Sequence, residues 1–212
     1  MKKISLLISA ASLLFVLSSC AQTENLFNGK DLSNWNFIVD GNKVAPESVY
    51  SVENGVILVQ GDPFGYMYTK KKYSNYTLEL EWSWVGEGTN SGIFLAIAET
   101  QAGTPFPNAI ECQLKSGIAG DFVLLGGSDM EEYVAPASGR PNFPVINKNV
   151  DSNEKPIGEW NKAKIIVNDG KITVYINGTL QNQGTTKVKE GNIGLQSEGG
   201  PIKFRNVKLT NM

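Results

Sequence analysis

The 212-residue chain contains no histidine. That removes the commonest general base and metal ligand, so any chemistry must come from carboxylates, amides, lysine, arginine and tyrosine. Cysteine is almost as scarce, with Cys20 and Cys112 the whole complement. Positive charge is not in excess, since 19 Lys and Arg face 21 Asp and Glu, and this leaves no electrostatic footprint for nucleic acid. No window sustains a helical period of apolar residues. What remains is a glycine-rich chain of short alternating segments, preceded by one apolar run at its start.

Lys2 and Lys3 open that start, Ile4 to Val16 form the run, and Leu17-Ser18-Ser19-Cys20 follow. The run is too short and too early for a spanning helix. It resembles a bacterial lipoprotein export signal, in which a peptidase cuts before the cysteine and a diacylglycerol thioether anchors it. The expected division is a signal peptide over 1–19, a lipidated N-terminus and tether over 20–24 with Cys20 as the lipidation site, and one domain over 25–212. Ala21 after the anchor points to the outer membrane, with the domain facing the periplasm or exposed at the surface. The membrane is then touched only through the anchor. Removing 19 residues leaves 193, enough for one sizeable core. The net charge of −2 becomes −4 as Lys2 and Lys3 leave. With Cys20 acylated, Cys112 has no disulfide partner.

The rest reads as strands. From Tyr76 to Trp84, Leu78, Leu80, Trp82 and Trp84 share one face while Thr77, Glu79, Glu81 and Ser83 share the other. A period of two marks a sheet packed on one side only. Ala109 to Lys115 repeats the scheme, with Ile110, Cys112 and Leu114 inward and Glu111, Gln113 and Lys115 outward. Ser91 to Ala98 is apolar on both faces and predicts a central strand. Trp160 to Val167 and Lys171 to Ile176 flank the turn Asn168-Asp169-Gly170, and Asn177-Gly178 supplies a two-residue hairpin turn. Gly191 to Gln196 and Ile202 to Leu209 close the chain. In the last strand Val207 and Leu209 break the parity of Ile202 and Phe204, which predicts a bulge near Arg205–Asn206. About a dozen short strands with Gly and Asn turns predict an all-β, two-sheet antiparallel jelly-roll sandwich of the concanavalin A-like type. Gly126 to Gly158 departs from the rhythm with Pro136, Pro141, Pro144 and Pro156. Its Tyr133, Phe143, Asp129, Glu131 and Glu132 suit a rim folded over one sheet face. Asp129, Glu131 and Glu132 also offer oxygen ligands to a divalent cation such as calcium, without a calcium-loop pattern.

Leu26-Phe27-Asn28-Gly29-Lys30-Asp31-Leu32-Ser33-Asn34-Trp35, Asn90-Ser91-Gly92-Ile93-Phe94 and Glu111-Cys112-Gln113 occur in that order. Gly158-Glu159-Trp160-Asn161, Tyr175-Ile176-Asn177-Gly178, Gly194-Leu195-Gln196 and Phe204-Arg205-Asn206 follow. In this series the chain resembles the 3-keto-disaccharide (3-keto-glycoside) hydrolase family from Asn25 to the C-terminus. The resemblance implies a concanavalin A-like jelly roll, export, and action on sugars oxidised at C3. It also implies a carbohydrate substrate supplied by a glucoside 3-dehydrogenase. Members often carry histidines beside the Glu-x-Gln strand and after the Leu-Gln, where this chain has Leu114-Lys115 and Ser197-Glu198.

Residues two apart on a strand lie roughly 7 Å apart on one face, so Glu111, Gln113 and Lys115 form a polar row. Retaining glycosidases need two carboxyls about 5–5.5 Å apart, and this row holds one. A 3-keto sugar changes the requirement, because the ketone acidifies the C2 hydrogen. One base can remove it, the C1 substituent leaves, and water adds back to the enone. Such a site needs a base, a donor for the enolate oxygen and an acid for the leaving group. Glu111 is the expected base. Lys115, Arg205 or Gln113 would hold the oxyanion, and Glu198 or Tyr133 would serve the leaving group. Asn90 and Gln196, from the motifs of the resemblance, are expected substrate contacts. Trp160 is either core or a sugar-stacking platform. A non-catalytic carbohydrate-binding lipoprotein on the same scaffold is the alternative reading.

Overall fold

The structure, a computed structural model, describes residues 22–212, and the Cys20 anchor lies outside them. In chain order the strands are β1 (Thr23–Asn25), β2 (Trp35–Val39), β3 (Tyr50–Glu53), β4 (Val56–Val59), β5 (Gly65–Thr69), β6 (Tyr76–Trp84), β7 (Gly92–Glu99) and β8 (Asn108–Gln113). They continue as β9 (Phe122–Leu125), β10 (Val145–Ile146), β11 (Asn161–Asn168), β12 (Lys171–Ile176), β13 (Thr179–Thr185), β14 (Asn192–Ser197) and β15 (Ile202–Asn211). The first sheet runs β13-β12-β11-β6-β15-β4-β3, with β1 added to β15. The second runs β10-β9-β8-β7-β14-β5-β2. Every pairing between these strands is antiparallel. The expected all-β jelly-roll sandwich is what forms. Among the described residues, helix is confined to two 3-10 turns, Asp40–Asn42 and Pro46–Ser48.

Alternation builds the core. Leu78, Leu80, Trp82 and Trp84 of β6 meet Ile110 and Cys112 of β8, joined by Ile165, Val174, Leu195 and Phe204, all buried. Full burial of such a side chain is worth about 1.5–3 kcal/mol. The turns follow the local signals: Asp169 and Asn177 take positive φ ahead of Gly170 and Gly178, as two-residue hairpins require. The predicted bulge is present, with the β15–β6 register shifting between Arg205 and Lys208 and Asn206 at φ 55°.

The two sheets differ on their far faces. On the first, Glu81 lies between Lys162 and Arg205, and Glu79 between Lys164 and Lys208. This is a solvated charge ladder of the kind that cross-strand pairing favours. On the second, the face turned away from the core carries its own apolar cluster of Ile38, Tyr66, Phe94, Ala109, Val123 and Leu125. The expectation that β8 is packed on one side only is therefore corrected. Glu111 is 3% exposed and Gln113 8%. Their face is covered by Phe106 from the β7–β8 connection and by the end of the 126–158 segment. That segment docks as the edge strand β10 on β9, with Phe143 edge-to-face against Phe106 at 5.1 Å.

Candidate active site

Glu111 sits mid-strand on β8, opposite Phe94 of β7 and Val123 of β9. Its carboxylate folds over Gly92, where a Cβ would stand 2.2 Å from Oε1. Only glycine permits that approach, which explains a glycine inside an otherwise apolar strand. The carboxylate's Oε1 is buried and has no hydrogen-bond partner. Burial, followed by the charge of Glu198, raises the Glu111 pKa well above the ordinary carboxylate value.

Glu198 begins the β14–β15 turn and bridges to Asn90 just before β7. Thr89 Oγ1 accepts the Gly200 amide at 2.7 Å, and Gly199 at φ 91° packs on Thr89 and Asn90. These contacts pin the turn to the start of β7. Gln196 Nε2 donates to Glu198 Oε2 at 2.6 Å. Burial raises the Glu198 pKa, and the side chains of Asn90 and Gln196 and the charge of Lys115 only partly oppose it. The outer oxygens of both amides, Asn90 Oδ1 and Gln196 Oε1, are buried without donors. Together with Glu111 Oε1 they make three buried acceptors without a protein donor.

Gln113 is oriented by its own backbone. Its Oε1 accepts the amides of Leu114 and Lys115 at 3.0 and 2.9 Å, which leaves the NH2 group as its free donor. Lys115 is exposed at the mouth. Asn90, Glu111, Gln113, Lys115 and Glu198 line one cavity of about 290 Å³, and Gln196 stands behind Glu198.

Three expected residues are elsewhere. Arg205 lies on the outer face of the first sheet, with Nε 2.7 Å from Glu81 and its guanidinium 3.9 Å over the Trp160 ring. Trp160 is thus a partner for Arg205 rather than a sugar platform in this cavity. Their strands belong to the other layer, which the sandwich separates from β8 by its full core. Tyr133 stacks under Arg140 at 4.7 Å and lines a different cavity with Ser128 and Thr186. Two of the three acids of that segment are engaged: Asp129 pairs with Arg140 at 3.0 Å, and Glu132 accepts the Thr185 amide at 2.7 Å. Sequence reasoning missed Gly92 as the residue that makes room for Glu111, although a lone strand glycine was its signal. It also missed β9, whose Phe122-Val123-Leu124-Leu125 has no alternation because both its faces are buried.

A family model described as a 3-keto-alpha-glucoside-1,2-lyase-like domain matches residues 22–210. A relative from Bacteroides thetaiotaomicron, a 3-keto-disaccharide hydrolase, is 26% identical over 225 aligned residues, covering 87% of this chain and 76% of its own. A solved structure from Parabacteroides distasonis superposes with a TM-score of 0.63 at 24% identity, covering 90% of this chain and all of that one. A carbohydrate binding module from Bacillus subtilis shares the fold at a TM-score of 0.57 and 11% identity, covering 82% and 94% of the two chains.

Proposed function

The chain belongs to the 3-keto-alpha-glucoside-1,2-lyase-like domain family, and from that premise we propose that it cleaves 3-keto-glycosides by elimination followed by hydration. The observation that carries this reading is Glu111, a buried carboxylate with an unpartnered oxygen at the floor of a cavity and a pKa raised toward the range a general base needs. Glu111 takes the C2 proton that the C3 ketone acidifies. The Gln113 NH2 group and the Lys115 ammonium receive the enolate oxygen. As the enolate collapses, the C1–O bond breaks and Glu198, favoured in its protonated form by burial, gives its proton to the departing oxygen. Water then adds to C1 of the enone, giving a proton back to Glu198, and C2 is reprotonated from Glu111 after that acid has exchanged its proton with solvent. The net change is hydrolysis, while the first half is a 1,2-elimination. The lyase and hydrolase descriptions of the relatives are both consistent with this sequence of steps. Gln196 orients Glu198 from behind, and Asn90, on the cavity wall, orients it too and offers its free carbonyl oxygen to a sugar hydroxyl.

The test is turnover of a 3-keto-glucoside in heavy water. Release of 3-keto-glucose with deuterium at C2 is expected, because proton removal precedes departure of the C1 group. A protein that binds such sugars without ever turning them over would support a binding function instead.

From the apolar run and Cys20 near the start of the sequence we propose as well that the enzyme is lipid-anchored at the outer membrane, with its substrate supplied by an oxidoreductase that oxidises C3 of glucosides. A palmitate analogue should label the wild type and fail to label Cys20→Ser. Labelling that survives the substitution would remove the anchor.

A further inference from the structure

The cavity has two unlike halves. One side carries the carboxylates of Glu111 and Glu198; the apolar wall is Phe106, Ile118, Val123, Leu125, Phe143 and Val145. We propose that this apolar half receives the leaving group, and that among 3-keto-glycosides the enzyme prefers those of an apolar, ring-bearing alcohol to those of a second sugar. The inference rests on the reading of Glu111 and Glu198 as the reacting pair.

Register places the two halves side by side. Val123 stands directly across from Glu111 on the neighbouring strand, and adjacent strands are about 4.8 Å apart. A group bonded to C1 of a sugar held over Glu111 therefore reaches this wall within one strand spacing. The wall is then the wrong chemistry for a second sugar. A sugar stacks on an aromatic face but keeps hydroxyls around its edge, and Ile118, Val123, Leu125 and Val145 offer those hydroxyls no hydrogen-bond partner. An apolar ring needs none.

Exposure points the same way. Phe143, Val145 and Ile118 are 46%, 45% and 37% exposed. Large apolar side chains left in water together at the mouth of a polar-floored cavity mark a ligand groove. Phe143 meets Phe106 edge-to-face, and Phe106 meets Phe64 at 6.4 Å, which extends the aromatic surface outward from the cavity. The proline-rich 126–158 segment supplies Phe143 and Val145, so the insertion that departs from the strand rhythm completes this half beside Phe106, Ile118, Val123 and Leu125.

The experiment compares benzyl and methyl 3-keto-glucosides with the full-length protein. The two alcohols leave about equally well, so a difference in kcat/KM reports the wall and not the leaving-group chemistry. Benzyl should exceed methyl by roughly 10- to 100-fold, the worth of taking a phenyl ring out of water, and a 3-keto-disaccharide should do no better than methyl. The benzyl-to-methyl ratio should collapse toward one in Phe143→Ala and in Val145→Ser, both at half-exposed positions outside the core. A wild-type ratio near one, a disaccharide faster than the benzyl substrate, or a ratio unmoved by both substitutions would overturn the proposal. If no 3-keto-glycoside turns over, the assigned chemistry fails and the wall is read separately by calorimetry with unoxidised benzyl and methyl glucosides. There a tenfold tighter benzyl binding that Phe143→Ala abolishes supports the apolar site, and equal binding refutes it.

Discussion

Glu79 and Glu81 on β6 and Glu111 on β8 occupy one local pattern, a carboxylate between apolar residues on an alternating strand: Leu78-Glu79-Leu80-Glu81-Trp82 against Ile110-Glu111-Cys112. Their neighbours make them opposites. On the first sheet Lys162 reaches Glu79 at 2.7 Å and Arg205 reaches Glu81 at 2.7 Å. The Lys162 hydrogen bond holds the Glu79 pKa below the usual value. At Glu81 burial pushes upward, but hydrogen bonds from Arg205 and Asn206 outweigh it and the pKa falls. On the second sheet Glu111 faces Gly92, Phe94 and Val123 with no cation on the adjoining strands, and its pKa rises. The strand's own sequence puts a carboxylate on a face. The strands on either side decide whether it becomes half of an ion pair or a buried, unpaired carboxylate.

The sharpest test of that contrast removes each carboxylate in turn. Glu111→Gln keeps the shape but loses the proton acceptor, so turnover of a 3-keto-glucoside should fall by roughly 10²–10⁴. Glu81→Gln should leave turnover where it was. An unchanged rate in Glu111→Gln would move the base elsewhere, with Glu198 next.

Gly92→Ala attacks the same carboxylate without touching it chemically. The added methyl would overlap Glu111 Oε1, and a displacement of about 1 Å in a reacting group can cost about 10²-fold in rate. A comparable loss is expected with the far-ultraviolet circular dichroism of an all-β fold retained. Full activity in Gly92→Ala would show that Glu111 is free to swing.

Acidity separates the rows next. The acid limb of kcat/KM should lie above the ordinary carboxylate range, because Glu111 must be ionised to act and its pKa is raised by burial and then by Glu198. Glu198→Gln removes that second cause, so the limb of its residual activity, left after loss of the leaving-group acid, should move to lower pH. The stability consequences have opposite signs. Glu111, raised in the folded state, contributes stability that is present below its unfolded pKa and lost as pH climbs through the folded value. Thermal melts should therefore show Glu111→Gln gaining on the wild type as pH rises. Glu81, lowered in the folded state, contributes above its unfolded pKa and loses that contribution as pH falls.

The smallest effect is the worth of the surface pair itself. Glu81→Gln should cost only about 0.2–1 kcal/mol at neutral pH, less at high salt, since Glu81 and Arg205 are both partly in water. A loss of several kcal/mol in denaturant melts would mean that the ladder is structural.

How far the site could be read follows from the range of each signal. Glu111 and Gln113 were legible because strand parity is local, and Asn90, Gln196 and Glu198 because they fall in or beside short motifs. Arg205 and Trp160 were misplaced for the same reason. Their motifs are as clear as the others, but a motif carries no information about which sheet its strand joins. Phe106, Val123 and Val145 were invisible because an apolar residue facing a ligand and one facing the core look identical in sequence.

Alternation, turn chemistry and the parity break at Arg205–Asn206 determined by themselves that this chain forms an antiparallel sandwich, since side-chain direction and positive-φ turns depend on a few adjacent residues. Which carboxylates are buried, which are paired and what wall stands beside Glu111 depend on contacts such as Glu111 with Gly92, Glu198 with Asn90 and Phe143 with Phe106. Those residues lie 19, 108 and 37 positions apart. Only the closing of the sheets, with β10 laid along β9, brings them together and turns what parity alone would make a surface glutamate into a buried carboxylate with a raised pKa.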